Sequence, residues 1–149
     1  MSADRVIYTL GTSTREFAEF LALLEFYRIG RVIDVRHFPT SRLAHFKKRS
    51  LCNLLNREGI DYFFLGDKLG GYRAGGYENY MHTKNFGEGI EYLEGLAEEK
   101  LSAFICAEKL FWRCHRRYIA DLLIDRGWDV YHIIALGSLI KGTGHVKPE

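Results

Sequence analysis

The sequence predicts a three-layer α/β/α fold built on a mainly parallel five-stranded sheet. Three observations carry that expectation. Short apolar runs alternate along the chain with stretches of helical periodicity, the order expected of successive βα units. The runs are continuously apolar rather than alternating, as strands covered on both faces are. Glycines at 30, 59 and 127 close three of the helical stretches.

The first strand is Arg5 to Leu10, ended by Gly11. Ser13 followed by Glu16 has the spacing of a capping box, and Phe17, Phe20, Leu21 and Leu24 then share a helical face up to Gly30. Arg31 to Val35 is the second strand. Residues 36–49 read as a basic loop, and Leu51, Leu54 and Leu55 mark a short helix ending at Gly59. Ile60 to Leu65 is the third strand. Residues 66–82, with five glycines and several tyrosines, read as a long surface loop of a length that is often functional. Phe86, Ile90, Leu93 and Ala97 give a third helix, with Glu88, Glu91, Glu94 and Glu98 expected to face water. Leu101 to Cys106 is the fourth strand, Ile119, Leu122 and Leu123 lie on a fourth helix, and Asp129 to Ile134 is the fifth strand. Residues 135–149 read as a glycine-containing C-terminal tail, so that 1–149 form a single α/β domain.

Composition narrows the function classes. Lys plus Arg number 21 against 19 Asp plus Glu, a net charge of +2, which gives no global attraction for nucleic acid or membranes. No apolar run approaches the ~18 residues of a membrane span, and the N-terminus lacks the layout of a signal peptide. Three cysteines are too few for a secreted disulfide scaffold. A cytoplasmic location is the expectation.

Ligands of open parallel sheets bind beyond the carboxyl ends of the strands. The residues that follow each strand therefore matter most. They are Gly11 to Arg15, then Asp34, Arg36 and His37, then Leu69 to Arg73, then Cys106 to Lys109 and Arg113 to Arg117. Arg113, Arg116 and Arg117 at a helix start, with Arg36 and Arg73 from neighbouring loops and Ser13 from the first, fit an anion site for phosphate or carboxylate. The same arginines fit equally a set of ion pairs with Asp34, Glu108 and Asp121. Cys114 beside that helix start is a candidate nucleophile, with Glu108 or a histidine as proton carrier. Neighbours on a helix do not share a face, which sets His115 apart from Cys114. A phosphatase-type loop between Cys106 and Arg113 fails because six residues intervene and none is glycine. Zinc fails for want of a CxxC pair and a fourth ligand, and a Cys106–Cys114 redox pair lacks CxxC spacing. No dinucleotide fingerprint is present, so neither metal nor cofactor is expected.

The basic loop 36–49 contains Arg36, Arg42, Lys47, Lys48 and Arg49 with Phe38 and Phe46 interleaved and no acid. Such a loop can hold single-stranded nucleic acid through phosphate contacts and stacking, or be a solvated loop docked by its phenylalanines. The tyrosine-rich loop 66–82 suits the same cleft or a homodimer contact.

The motifs Tyr8-Thr9-Leu10-Gly11-Thr12-Ser13, Asp34-Val35-Arg36, Leu69-Gly70-Gly71-Tyr72-Arg73, Tyr80-Met81, Cys106-Ala107-Glu108 and Cys114-His115-Arg116 occur in this order. In them the chain resembles the family catalogued as domain of unknown function 488, from about Ile7 to Ile134. The resemblance implies an α/β fold and no particular activity. The reading is an anion-binding cleft for a phosphorylated small molecule or nucleic acid, with hydrolysis or group transfer by Glu108 and Cys114. The alternative is a non-catalytic nucleic-acid-binding or assembly module that uses loops 36–49 and 66–82.

Overall fold

The computed structural model describes residues 5–39 and 41–143. The sheet forms from β1 (Val6–Gly11), β2 (Arg31–Asp34), β3 (Asp61–Phe64), β4 (Ser102–Cys106), β5 (Asp129–Ala135) and β6 (Ser138–Lys141). Their order is β3-β2-β4-β1-β5-β6. The first five are parallel throughout, and β6 returns antiparallel to β5. The helices are α1 (Phe17–Phe26), α2 (Lys48–Arg57), α3 (Gly66–Leu69), α4 (Tyr77–Tyr80), α5 (Lys84–Glu99) and α6 (Arg116–Asp125). Among the described residues no helix is long and apolar enough to cross a membrane.

Neighbouring residues of a strand point to opposite faces, and two cores result. Val32 and Ile105 meet Phe20 and Leu24 of α1 and Leu51 and Leu55 of α2. Ile33 and Phe104 meet Phe86, Ile90 and Leu93 of α5 and Ile119 and Leu123 of α6. The three layers follow from that division. It also creates the crevice. The chain leaves β1 and β2 for helices on one face and leaves β4 for α6 on the other. The loops on both sides of the β4 end therefore diverge from it, the situation in which α/β sheets leave room for a ligand.

Four sequence expectations need correction. The sheet has six strands, because Ser138–Lys141 of the expected tail pairs with β5 through a turn at Gly137, whose φ is +72°. Residues 144–149 of that tail lie outside the described residues. Residues 66–82 are not a plain loop but carry α3 and α4. Ser13 does not cap α1: the N-cap is Glu16 with no side-chain bond, and Ser13 sits at φ +49° with its N–H bonded to the Ala107 carbonyl. Glu94 does not face water. It is buried at 7% exposure and accepts bonds from Arg126, Arg5 and the Trp128 indole.

Burial alone would raise the Glu94 pKa. The bonds from Arg126 and Trp128 and the charges of Arg126 and Arg5 outweigh it and hold the carboxyl below its ordinary value. A depressed folded-state pKa stabilises the fold above the unfolded value and is lost as pH falls through the folded one. Glu94→Gln should therefore cost about 2 kcal/mol at pH 7 in urea unfolding, and the gap to wild type should narrow below about pH 4. An unchanged gap at low pH would assign the cost to packing instead.

Candidate functional site

A cavity of about 550 Å³ opens over the β4 end. Its walls come from Arg36, His37 and Phe38 after β2, Gly71, Tyr72 and Tyr77 after β3, and Cys106 to Glu108 after β4, with Trp112, Cys114, His115, Arg117 and Tyr118 at the entry to α6. Close backbone approach fixes the β4 loop. A Cβ on Gly11 would lie 1.9 Å from the Glu108 carbonyl oxygen, so only glycine lets β1 and that loop meet.

Cys114 and His115 face each other in this cleft. The helix begins only at Arg116, and Cys114 has extended backbone (φ −133°, ψ 152°). The rule that separates helical neighbours therefore does not apply to the pair. Cys114 Sγ lies 3.4 Å from His115 Nδ1, and His115 Nε2 lies 2.9 Å from the Val35 carbonyl oxygen. A carbonyl only accepts, so Nε2 carries a hydrogen, and Nδ1 is the nitrogen that shares a proton with the Cys114 sulfur. Gly71 packs over the ring, where a Cβ would stand 3.2 Å from Nδ1. Tyr77 flanks it with ring centroids 5.3 Å apart.

The second cysteine completes the arrangement. Cys106 Sγ lies 2.7 Å from Cys114 Sγ, and the N–H of Arg116 points at Cys114 Sγ from 3.5 Å. Two thiols this close titrate as a unit. Burial and the neighbouring sulfur push the Cys106 thiol well up, against the pull of the Arg116 charge. Cys114 moves the other way, down to about 4. The hydrogen bond with Cys106 is the largest cause, and His115 and the Arg116 N–H add to it against burial. The pair thus holds one thiolate, on Cys114, and one proton, on Cys106. The two cysteines are eight residues apart in sequence yet in contact, which overturns the spacing argument against their acting together.

The four arginines of the expected clamp whose side chains are described do not converge. Arg36 is 3% exposed and its guanidinium is committed to Asp34, through Nε at 2.9 Å and Nη2 at 2.8 Å, and to the Phe46 carbonyl. Arg73 donates to the carbonyls of Gly66, Asp67 and Gly70 and lies over the Tyr80 ring. Arg116 is fully buried and ties the β4 loop to β1 by donating to Glu108 O, Lys109 O and Thr9 Oγ1. The side chain of Arg113 lies outside the described residues. Of the four whose side chains are described, Arg117 alone is exposed at the cleft, donating to the Tyr118 hydroxyl at 2.8 Å. Glu108 is also exposed there. Ser13 is half-buried and not on the cleft wall.

Thr9 Oγ1 accepts from Arg116 and shares a hydrogen bond with His132 Nδ1, 2.6 Å away. Burial, with the Arg116 charge, drops the His132 pKa to about 3, and the ring stacks on Phe111 at 3.7 Å. This neutral histidine holds the base of the β4 loop. Of the basic loop's phenylalanines, Phe46 is fully buried and Phe38 is 60% exposed at the cleft mouth beside Tyr72.

The signals that sequence reasoning missed are His115 and Cys106. The first is hidden by assuming the helix began earlier, and the second by judging cysteine pairs on CxxC spacing. The family model described as "Domain of unknown function DUF488" matches residues 16–123, more than two thirds of the chain. No curated protein matches.

Proposed function

The chain belongs to the family described as domain of unknown function DUF488, and from that premise we propose a thiol-dependent hydrolase or group-transfer enzyme acting on an anionic substrate. One observation carries the reading: Cys114, His115 and the Val35 carbonyl form a nucleophile, a base and the group that orients the base, inside a cleft. Cys114 sulfur attacks the electrophilic atom. His115 Nδ1 takes the thiol proton where the substrate meets a protonated Cys114. Glu108 passes a proton to the leaving group. Arg117 and the first turn of the ten-residue α6 draw the anionic end, a phosphate or carboxylate. Arg36 and Arg116 position the walls rather than touch the substrate.

Two activated esters test this, p-nitrophenyl acetate and the p-nitrophenyl half-ester of glutarate. Sulfur adds to the carbonyl, p-nitrophenolate leaves, and a thioester remains on the protein. The expected outcome is one acyl group on Cys114, absent in Cys114→Ala. The charged ester should react about threefold to fivefold faster than the neutral one, and Arg117→Ala should erase that preference, as suits an exposed ion pair. Acylation spread over Cys52 and lysines, unaffected by Cys114→Ala, removes the nucleophile. Equal rates for the two esters remove the anion preference.

A second reading has its own observation. Arg42 and Lys47 are exposed on the basic loop and Lys48 and Arg49 on the first turn of α2, in the same segment as exposed Phe38. A nucleic-acid module of this kind would bind oligonucleotides with an affinity that falls log-linearly with salt and is indifferent to Cys114→Ala.

A further inference from the structure

We propose that Cys106 and Cys114 are a reversible dithiol–disulfide site at the floor of the cleft, oxidised by hydroperoxides and reduced by small dithiols. Three features of the geometry support it. Both cysteines are free, and their sulfurs stand 2.7 Å apart. A disulfide needs ~2.05 Å, so the bond would form with less than about 1 Å of approach. Both line the cavity but differ in access: Cys106 is 1% exposed at the end of β4, whereas Cys114 is only half-buried. An oxidant entering the cleft meets Cys114 first. The third cysteine, Cys52, lies on α2, whose apolar residues pack on the opposite face of the sheet.

The chemistry balances with a hydroperoxide as the named oxidant. Cys114 thiolate attacks the distal oxygen of hydrogen peroxide, the O–O bond breaks, and hydroxide leaves and takes up a proton as water. Cys114 is then a sulfenic acid. Cys106 sulfur attacks Cys114 sulfur, and the S–O bond breaks. The hydroxyl leaves as water with the Cys106 proton, and a disulfide remains. The site loses two electrons and the Cys106 proton, solvent supplies the second proton, and one peroxide becomes two waters; a dithiol returns the electrons by exchange. Oxidation removes the Cys114 thiolate, so the site would be silent while oxidised. That consequence rests on the function proposed above; the disulfide itself does not.

The measurement is made on the wild-type chain and on Cys52→Ser, each treated with one equivalent of hydrogen peroxide. The expected result is an intact mass lower by two hydrogens and a linked pair of tryptic peptides containing Cys106 and Cys114, which separate because Lys109 and Arg113 lie between them. Dithiothreitol should restore the starting mass. Cys114 alkylation should fall at least about tenfold in the oxidised protein and recover on reduction. Cys106→Ser should instead gain one oxygen on Cys114, trapped by dimedone. Conversion of Cys114 to sulfinic acid while Cys106 stays alkylatable overturns the proposal, as does a disulfide that uses Cys52 or joins two chains. If the disulfide forms but the activated esters leave Cys114 unacylated, the function falls and this site stands. If Cys114 is acylated and no disulfide forms, the reverse holds.

Discussion

Iodoacetamide should alkylate Cys114 nearly as fast at pH 5 as at pH 8. A thiol with the reference pKa of about 8.5 slows by roughly three orders of magnitude over that interval, because its thiolate fraction falls with each unit of acid. Cys114, with its pKa down to about 4, remains thiolate across the whole range. The diagnostic is the shape of the profile and not the speed. A thiolate stabilised this strongly is a weaker nucleophile, so the rate at pH 7 need not exceed that of free cysteine. The variants separate the causes. Cys106→Ala removes the sulfur 2.7 Å away, the largest stabilising contact, and should move the inflection upward by roughly one to two units. His115→Gln removes the ring nitrogen that bonds the thiolate from 3.4 Å and should move it upward by less. An inflection at or above about 8.5 in the wild type would end the description of Cys114 as a poised thiolate.

The parts of the fold legible in the sequence are those where burial writes a pattern. β2 and β4 are fully buried between the two helical layers and β1, β3 and β5 partly so, and each of the five is visible as a run within a residue or two of its bounds. β6 is hidden for the opposite reason. All of Ser138 to Lys141 is exposed, so only backbone pairing to β5 defines that strand. Glu94 misleads because the three other glutamates of the stripe, Glu88, Glu91 and Glu98, are indeed exposed, and nothing local announces Arg5, Arg126 and Trp128 at the far end of the sheet. The cleft is a different case. Parallel strands bring their carboxyl ends together whatever the sequence of the loops, so Arg36, Cys106, Glu108 and Cys114 could be listed as neighbours from topology alone. Their roles could not. An arginine count cannot show that Arg36 folds back on Asp34 two residues before it, or that Arg116 faces inward on α6. His115 reaches Cys114 only because regular helix starts one residue later.

Asp34→Ala should be the most destabilising substitution of those considered, by about 4 kcal/mol, because it strands a buried cation. Asp34 is fully buried and Arg36 nearly so. The carboxylate accepts Arg36 Nε and Nη2, the Arg36 backbone N–H at 3.1 Å, and the Tyr62 hydroxyl. Its removal leaves the guanidinium with the Phe46 carbonyl and, among the described residues, no other ion-pair partner. For a chain of this size the loss corresponds to a fall in Tm of roughly 10 °C, readable by calorimetry. Tyr62→Phe deletes one neutral donor and should cost only about 1 kcal/mol. The double variant Asp34→Ala/Arg36→Met decides between charge and shape. If the unpaired cation is the cause, the second substitution recovers more than half of the loss; if packing is, the two costs add. The same anchor serves the cleft. Val35, whose carbonyl holds His115 Nε2, follows Asp34 directly, so loosening this corner frees the histidine ring. In Asp34→Ala the Cys114 alkylation profile should therefore shift upward as it does in His115→Gln, although the site of substitution touches neither sulfur nor imidazole.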